Sequence, residues 1–211
     1  MAYEAEDTTE ESLEFLKDVS PLFYKYLRIR MGVPMTLETV VTLSDGDWDY
    51  GIYIRDEHNA AIRSVSPDGT ETRLVYSGNM IYQIEAGTRS VFNIDTDADY
   101  VDSEIENYRL KIPYDEVISS EFTSGTETYN GVEYNYETVA DSQSSETYYF
   151  DKETDELVYL VSDETVRKIV RLTNDFDKES VFDIPADYQQ LTFDDLMARE
   201  EAAAAEQQSS E

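Results

Sequence analysis

The chain contains no cysteine, one histidine, one tryptophan, five prolines and eight glycines among its 211 residues. Without cysteine there is no disulfide, no thiol nucleophile and no cysteine-ligated zinc. A single histidine also excludes a histidine-rich zinc site. His58 lies in a polar, turn-like stretch with no nucleophile elbow nearby, so it reads as a surface residue rather than a triad base. The scarce glycines form no phosphate-cradling loop. No apolar run reaches the roughly 18 residues a membrane-spanning helix needs. Cations are few: 16 Lys and Arg stand against 47 Asp and Glu, a formal net charge of −31. Phosphate backbones and anionic membrane surfaces are both held by clustered Lys and Arg, so nucleic-acid binding and charge-driven membrane docking are excluded. Acidity of this kind serves solubility, and it leaves open an affinity for cations or basic partners.

What is present is alternation, bracketed by helical ends. Thr8 and Thr9 precede Glu10 and Glu11, a helix-start pattern with acidic residues where the dipole favours them. Phe15, Val19, Leu22 and Tyr26 then recur at helical spacing. Pro21 either kinks this helix or begins a second one with Ser20 as its N-cap, and Gly32 and Pro34 end the segment. From Pro34 to Ile94 the period shortens to two. Leu37, Thr39, Val41 and Leu43 share one face, and Trp48, Tyr50, Ile52 and Ile54 share another. Further runs follow at Ala61–Val65, Thr72–Ser77, Met80–Glu85 and Arg89–Ile94, separated by Gly, Asp and Asn turns. Asp95 to Ile112 is acidic and weakly helical, and Pro113 starts a short helical turn through Ile118.

Alternation resumes near Glu121 and meets Asn130-Gly131, the strongest two-residue hairpin signal in the chain. Strands are predicted at Val132–Ala140, Glu146–Asp151, Leu157–Ser162 and Thr165–Thr173, with a short extended piece at Ser180–Ile184. Along the first of these, Val132, Tyr134 and Tyr136 point one way, and Glu133, Asn135 and Glu137 point to a wet face. Thr192 caps a C-terminal helix with Asp195 three residues on, and the closing EEAAAAEQQSSE has nothing to bury and is expected to fray. The predicted fold is therefore mainly β (α+β): a single strongly curved antiparallel sheet of about eleven strands. A sheet of that size curls over its helices or over a cavity, giving an incomplete barrel with an N-terminal helix and short helices on its concave side. Residues 1–8 form an acidic lead, 9–190 one β domain, and 191–211 a C-terminal helix and tail.

Three segments carry a family resemblance: Tyr129-Asn130-Gly131-Val132-Glu133-Tyr134, the run from Tyr148 to Val158 (YYFDKETDELV), and the closing Phe182-Asp183-Ile184-Pro185-Ala186-Asp187-Tyr188. With the order of elements, they make the chain resemble the LolA-like lipoprotein-carrier superfamily, including its lipid-carrier lipoproteins. The resemblance covers residues 10–190 in pattern and some thirty residues in motif, and these motifs are turns rather than a catalytic signature. It implies a concave apolar face that holds acyl chains or other hydrophobic molecules. By strand order and alternation the candidates for that face are Trp48, Tyr50, Ile52, Ile54, Tyr76, Tyr82, Tyr134, Tyr136, Tyr148 and Phe150. Their tyrosines argue against a purely aliphatic cargo, because a buried hydroxyl needs a partner.

One spaced cluster of oxygen ligands stands out. Asp95, Asp97, Asp99, Ser103 and Glu106 fall at positions one, three, five, nine and twelve of a calcium loop. Tyr100 occupies the glycine position of such a loop and a strand precedes it, which favours a plain solvated acidic segment over a calcium site. With 47 carboxylates, pairs suited to glycoside chemistry are unavoidable and select nothing. No nucleophile, metal triad or cofactor motif emerges, so a non-enzyme is expected. The leading expectation is an extracytoplasmic carrier or binding protein of a bacterial cell envelope, taking a hydrophobic small molecule or lipid and docking with another envelope protein. It would be anchored by a lipid on a removed segment ahead of MAYEAEDTTEES. The alternative is a cell-surface interaction module with no small-molecule cargo.

Overall fold

The structure, a computed structural model, describes residues 9–43, 48–56, 58–107, 114–141, 144–162, 165–175 and 181–208. The chain opens with two helices, α1 (Thr9–Val19) and α2 (Pro21–Met31). Pro21 begins the second helix rather than kinking one, because its missing N–H is not needed in a first turn. A six-stranded meander follows: β1 (Met35–Leu43), β2 (Trp48–Arg55), β3 (Asn59–Val65), β4 (Glu71–Ser77), β5 (Met80–Glu85) and β6 (Ser90–Asp95). Two helices, α3 (Ala98–Asn107) and α4 (Tyr114–Ser119), lead to a second meander. This comprises β7 (Glu121–Tyr129), β8 (Val132–Ala140), β9 (Ser145–Asp151), β10 (Leu157–Val161) and β11 (Thr165–Thr173). A short β12 (Gln189–Thr192) and helix α5 (Phe193–Gln208) close the chain.

The twelve strands among the described residues form one open sheet, in the order β12-β6-β5-β4-β3-β2-β1-β11-β10-β9-β8-β7. The antiparallel pairing of β1 with β11 joins the two meanders. The count exceeds the expected eleven by β12, which lies parallel to β6 and makes the sheet mixed. The extended piece expected at Ser180–Ile184 is instead part of an irregular strap, residues 181–188, and the strand begins only at Gln189. At the C-terminus Thr192 and Asp195 cap each other as expected: Thr192 N–H donates to Asp195 Oδ2 at 2.8 Å, and Asp195 N–H donates to Thr192 Oγ1 at 3.3 Å. The helix backbone continues to Gln208 through an alanine run of high helical propensity.

Cross-strand partners share a face of a sheet. Ser124, Glu137, Tyr148, Leu160 and Arg167 are successive partners across β7 to β11. Their face is covered by α1, α2 and α4, whose Leu13, Leu16, Phe23, Leu27 and Val117 pack with Tyr148, Phe150 and Leu160. The same face of the first meander carries Ala60, Tyr76, Ile81 and Ile94, covered by Val101 and Ile105 of α3. The opposite face of that half is covered too: the strap lays Val181, Phe182, Ile184 and Tyr188 over Ala61, Val75, Tyr82, Ile84 and Val91. This double cover explains why neighbours such as Ala60 and Ala61, or Val91 and Phe92, are all fully buried.

Candidate ligand-binding site

Between α2 and the strands β9 to β11 lies a cleft of about 490 Å³. Lys25, Tyr26 and Ile29 face it from the helix, and Phe150, Leu157, Val158, Ile169, Val170 and Leu172 from the sheet. Thr154, Asp155, Glu156 and Arg171 complete the rim. The register shows how the sheet makes room. On β10, Leu157 and Tyr159 pair with consecutive residues of β9, so Val158 is an extra residue. On β11, Arg171 and Ile169 pair with consecutive residues of β1, so Val170 is extra in the same way. Both bulged valines line the cleft. A bulge bends its strand and re-aims the neighbouring side chains, and here two fall on adjacent strands beside the cleft.

Helix α2 is pinned at both ends. At its start the carboxylate of Glu137, reaching from β8, accepts hydrogen bonds from Ser20 Oγ (2.6 Å), Leu22 N–H (3.1 Å) and Phe23 N–H (2.7 Å). The N-cap serine makes no cap of its own. The negative charge therefore sits at the positive end of the helix, on two of its orphan donors. Glu137 is only 3% exposed, which overturns its expected place on a wet face. At the other end, Asn174 Nδ2 donates to the carbonyls of Ile29 (3.0 Å) and Pro34 (2.9 Å).

The rim is set by the β9–β10 turn. Asp151 Oδ1 accepts from Glu153 N–H and Thr154 N–H, each at 2.9 Å. The backbone bond from Thr154, then that from Glu153, holds the Asp151 carboxyl below the usual carboxylate range. Asp155 takes a left-handed backbone, φ 57°, which Asp tolerates better than most residues. It faces Lys25 Nζ across the mouth at 3.6 Å. Behind the cleft, the Tyr148 ring packs 4.6 Å from Phe23 and 5.7 Å from Tyr26. Its hydroxyl donates to Glu146 at 2.6 Å, and burial, then the Glu146 charge, pushes its pKa well up.

Of the ten residues predicted for the ligand face, Phe150 lines the cleft and Tyr148 stands directly behind it. Tyr76 shares their face of the sheet but is enclosed under α3. Tyr50, Tyr82, Tyr134 and Tyr136 belong to the opposite face, which corrects their assignment. Tyr50 donates to Glu38 at 2.6 Å, and Tyr82 lies under the strap. Tyr134 packs edge-on against Tyr149 and Tyr159, and Tyr136 covers Gly125. Trp48, Ile52 and Ile54 are on β2, with side chains outside the described residues. Sequence reasoning missed Tyr26, Ile29, Ile169 and Leu172. Their apolar spacing was visible, but not the bulges at Val158 and Val170 that line the cleft beside them.

The acidic segment from Asp95, read as weakly helical, takes a helix rather than the loop geometry of a calcium site. Residues 98–107 are helical, and Asp97 caps that helix by accepting from Tyr100 N–H at 2.6 Å. Asp95 accepts from Asn79 Nδ2 at 2.9 Å, and Ser103 Oγ donates to the Tyr100 carbonyl at 2.8 Å. Asp99 and Ser103 stand one turn apart on this helix, and the Ser103 hydroxyl is turned onto the helix's own Tyr100 carbonyl. The Glu106 side chain lies outside the described residues. Among the described residues no three metal-ligating side chains converge. His58 sits exposed in the β2–β3 turn, where its N–H donates to Asp56 Oδ1 at 2.9 Å.

No protein-family model and no curated protein matches the chain. Solved structures resemble it at low identity. An uncharacterized conserved protein from Thermus thermophilus is 7% identical, with a TM-score of 0.47 over 83% of this chain and 99% of that one. The Mycobacterium tuberculosis lipoprotein LppX is 11% identical, with a TM-score of 0.48 over 76% and 97%. MucB, solved in complex with MucA(peri), is 10% identical, with a TM-score of 0.38 over 82% and 61%. Among the described residues no helix is long and apolar enough to cross a membrane.

Proposed function

We propose that this protein is a non-catalytic carrier or binding protein for a hydrophobic or amphipathic molecule, a lipid or an acyl chain, held between α2 and the sheet. The observation that carries the reading is the cleft itself. Its volume of about 490 Å³ falls within the roughly 300–1,000 Å³ typical of ligand pockets. Its walls are Tyr26, Ile29, Phe150, Leu157, Ile169 and Leu172, and its charged groups stand at the rim. Such a site buries an apolar tail and leaves a polar head in water. Each methylene taken out of water contributes about 0.8 kcal/mol.

The tyrosine objection to an aliphatic cargo loses its force here, because Tyr26 is the sole tyrosine among the lining residues. The resemblance to lipoprotein carriers adds the setting: an extracytoplasmic protein of a cell envelope, tethered by a lipid on a preceding segment.

Native mass spectrometry of the purified protein, with solvent extraction, tests the reading. A co-purifying acyl-chain molecule is expected, and the Ile29→Trp variant, which fills the cleft from α2, should lose it. If Ile29→Trp retains the same bound molecule, the cleft is not the site. If neither protein carries or takes up any apolar molecule, the carrier reading fails.

A second reading, a surface interaction module, is favoured by the edge of the sheet at β7, which no strand among the described residues covers.

A further inference from the structure

The two edges of the sheet are built differently. The β12 edge is four residues long, runs parallel to its neighbour, and passes at once into α5. A short edge ending in a helix offers little for another strand to pair with. The β7 edge is nine residues long and pairs with β8 without a register shift. Its sequence, EFTSGTETY, holds no proline and no lysine, and among the described residues no strand pairs with its outer side. Thr123 to Thr128 are all exposed. Of the usual safeguards against edge pairing, β7 has no bulge, no proline and no inward charge, only the charges of Glu121 and Glu127.

The hairpin geometry shows which backbone groups point outward. Asn130 and Gly131 have φ of 51° and 81° and join the flanking pair Tyr129 and Val132. Positive φ at both central residues marks a type I′ turn, whose flanking residues exchange both of their hydrogen bonds. Bonded and non-bonded pairs alternate from there. Positions 121, 123, 125, 127 and 129 therefore face β8, and Phe122, Ser124, Thr126 and Thr128 turn their N–H and C=O groups outward.

Charge identifies the occupant. Between Lys111 and Lys152 the sequence has nine carboxylates and no Lys or Arg. This span supplies α4 and the outermost strands β7, β8 and β9. The two carboxylates of β7 itself, Glu121 and Glu127, share the face opposite the helices. A second copy of the chain would bring the same charges against this edge, and like charges in register repel.

We propose that the β7 edge is a docking site for an extended, cationic segment of another protein, which adds to the sheet as a further strand. Backbone bonds to the four outward residues hold it, and Lys or Arg at alternate positions meet Glu121 and Glu127. This site is separate from the cleft under α2, and neither requires the other.

A short synthetic peptide alternating lysine with threonine and valine is the probe, with its glutamate counterpart as the control. The lysine peptide is expected to bind the wild-type chain, more weakly as salt is raised. The Thr126→Ala variant should bind it alike. Thr126→Pro removes an outward N–H and leaves the β8 ladder intact, and it should bind about tenfold or more weakly. On peptide addition, the amides of Phe122, Ser124, Thr126 and Thr128 should gain protection from hydrogen exchange in the wild-type protein. That measurement decides alone if the proline variant does not fold. Absence of binding, unaltered binding by Thr126→Pro, or equal binding of the glutamate peptide would overturn the proposal. So would a dimer in sedimentation that Thr126→Pro abolishes, since the occupant is then a second copy.

Discussion

Glu137 shows how far one residue's role departs from its local context. In the run Val132-Glu133-Tyr134-Asn135-Tyr136-Glu137 it reads as a solvated position on a half-buried strand. In the fold it is buried, and it anchors a helix 114 to 117 residues away in sequence. Hydrogen bonds to a buried charge contribute about 1.5–3 kcal/mol each, and helix caps about 1 kcal/mol. Glu137→Ala leaves the Leu22 and Phe23 N–H groups without an acceptor and is expected to cost about 3 kcal/mol. Glu137→Gln keeps one carbonyl acceptor and should cost about half as much. Urea unfolding of the two variants checks this; a loss below about 0.5 kcal/mol for the alanine variant would contradict the anchoring role. No period-two pattern could have revealed it, because the carboxylate's partners lie on another element.

Among the elements, α2 is the one whose placement makes the cleft, and Gly32 fixes its exit. A Cβ at Gly32 would lie 2.2 Å from Asn174 Nδ2, the atom that bonds the Ile29 and Pro34 carbonyls. Gly32→Ala therefore displaces Asn174 and releases two carbonyls. The expected loss is about 1–3 kcal/mol, with weaker uptake of any molecule bound beneath the helix. Thermal unfolding and a binding assay on the same variant measure both, and unchanged values would show that Asn174 is not the tie. An interruption at Pro21, the Asn130-Gly131 turn and the Thr192–Asp195 cap were all legible, since each depends on residues near in sequence, though a kink and a break at Pro21 read alike. The bulges at Val158 and Val170 were not. A bulge is an extra residue relative to a partner strand, so it exists only once the partner is known.

For the molecule as a whole, tyrosines packed on both faces make stability sensitive to alkali. Burial, then the hydrogen bond to Glu38, pushes Tyr50 up to about 12. Burial, then the bond to Glu127, raises Tyr149, and burial first also raises Tyr134 and Tyr148. Unfolded tyrosines ionise near about pH 10. Below that pH both states are protonated and the tyrosine contribution is complete. Above it the unfolded chain releases protons that the folded one retains, so stability falls as pH rises from about 10 to 12. Unfolding midpoints measured across this range should show the decline, and Tyr50→Phe should make it shallower. A flat profile to pH 12 would refute the assignment.

The sequence by itself determined what is local: period-two strands, turn residues between them, helical ends, and a strongly acidic charge balance. These follow from side-chain alternation and backbone preferences within a few residues. The tertiary structure alone decided which side of the sheet the helices cover. Both alternating sets along β8 and β9 contain aromatics, Tyr134, Tyr136 and Tyr149 on one face and Tyr148 and Phe150 on the other, so apolar character could not choose between them. The choice is made by contacts between distant segments, the pairing of β1 with β11 and the capture of α2 by Glu137. Those contacts bring Tyr26 and Ile29 over Phe150, and β7 ends the sheet with no strand among the described residues on its outer side.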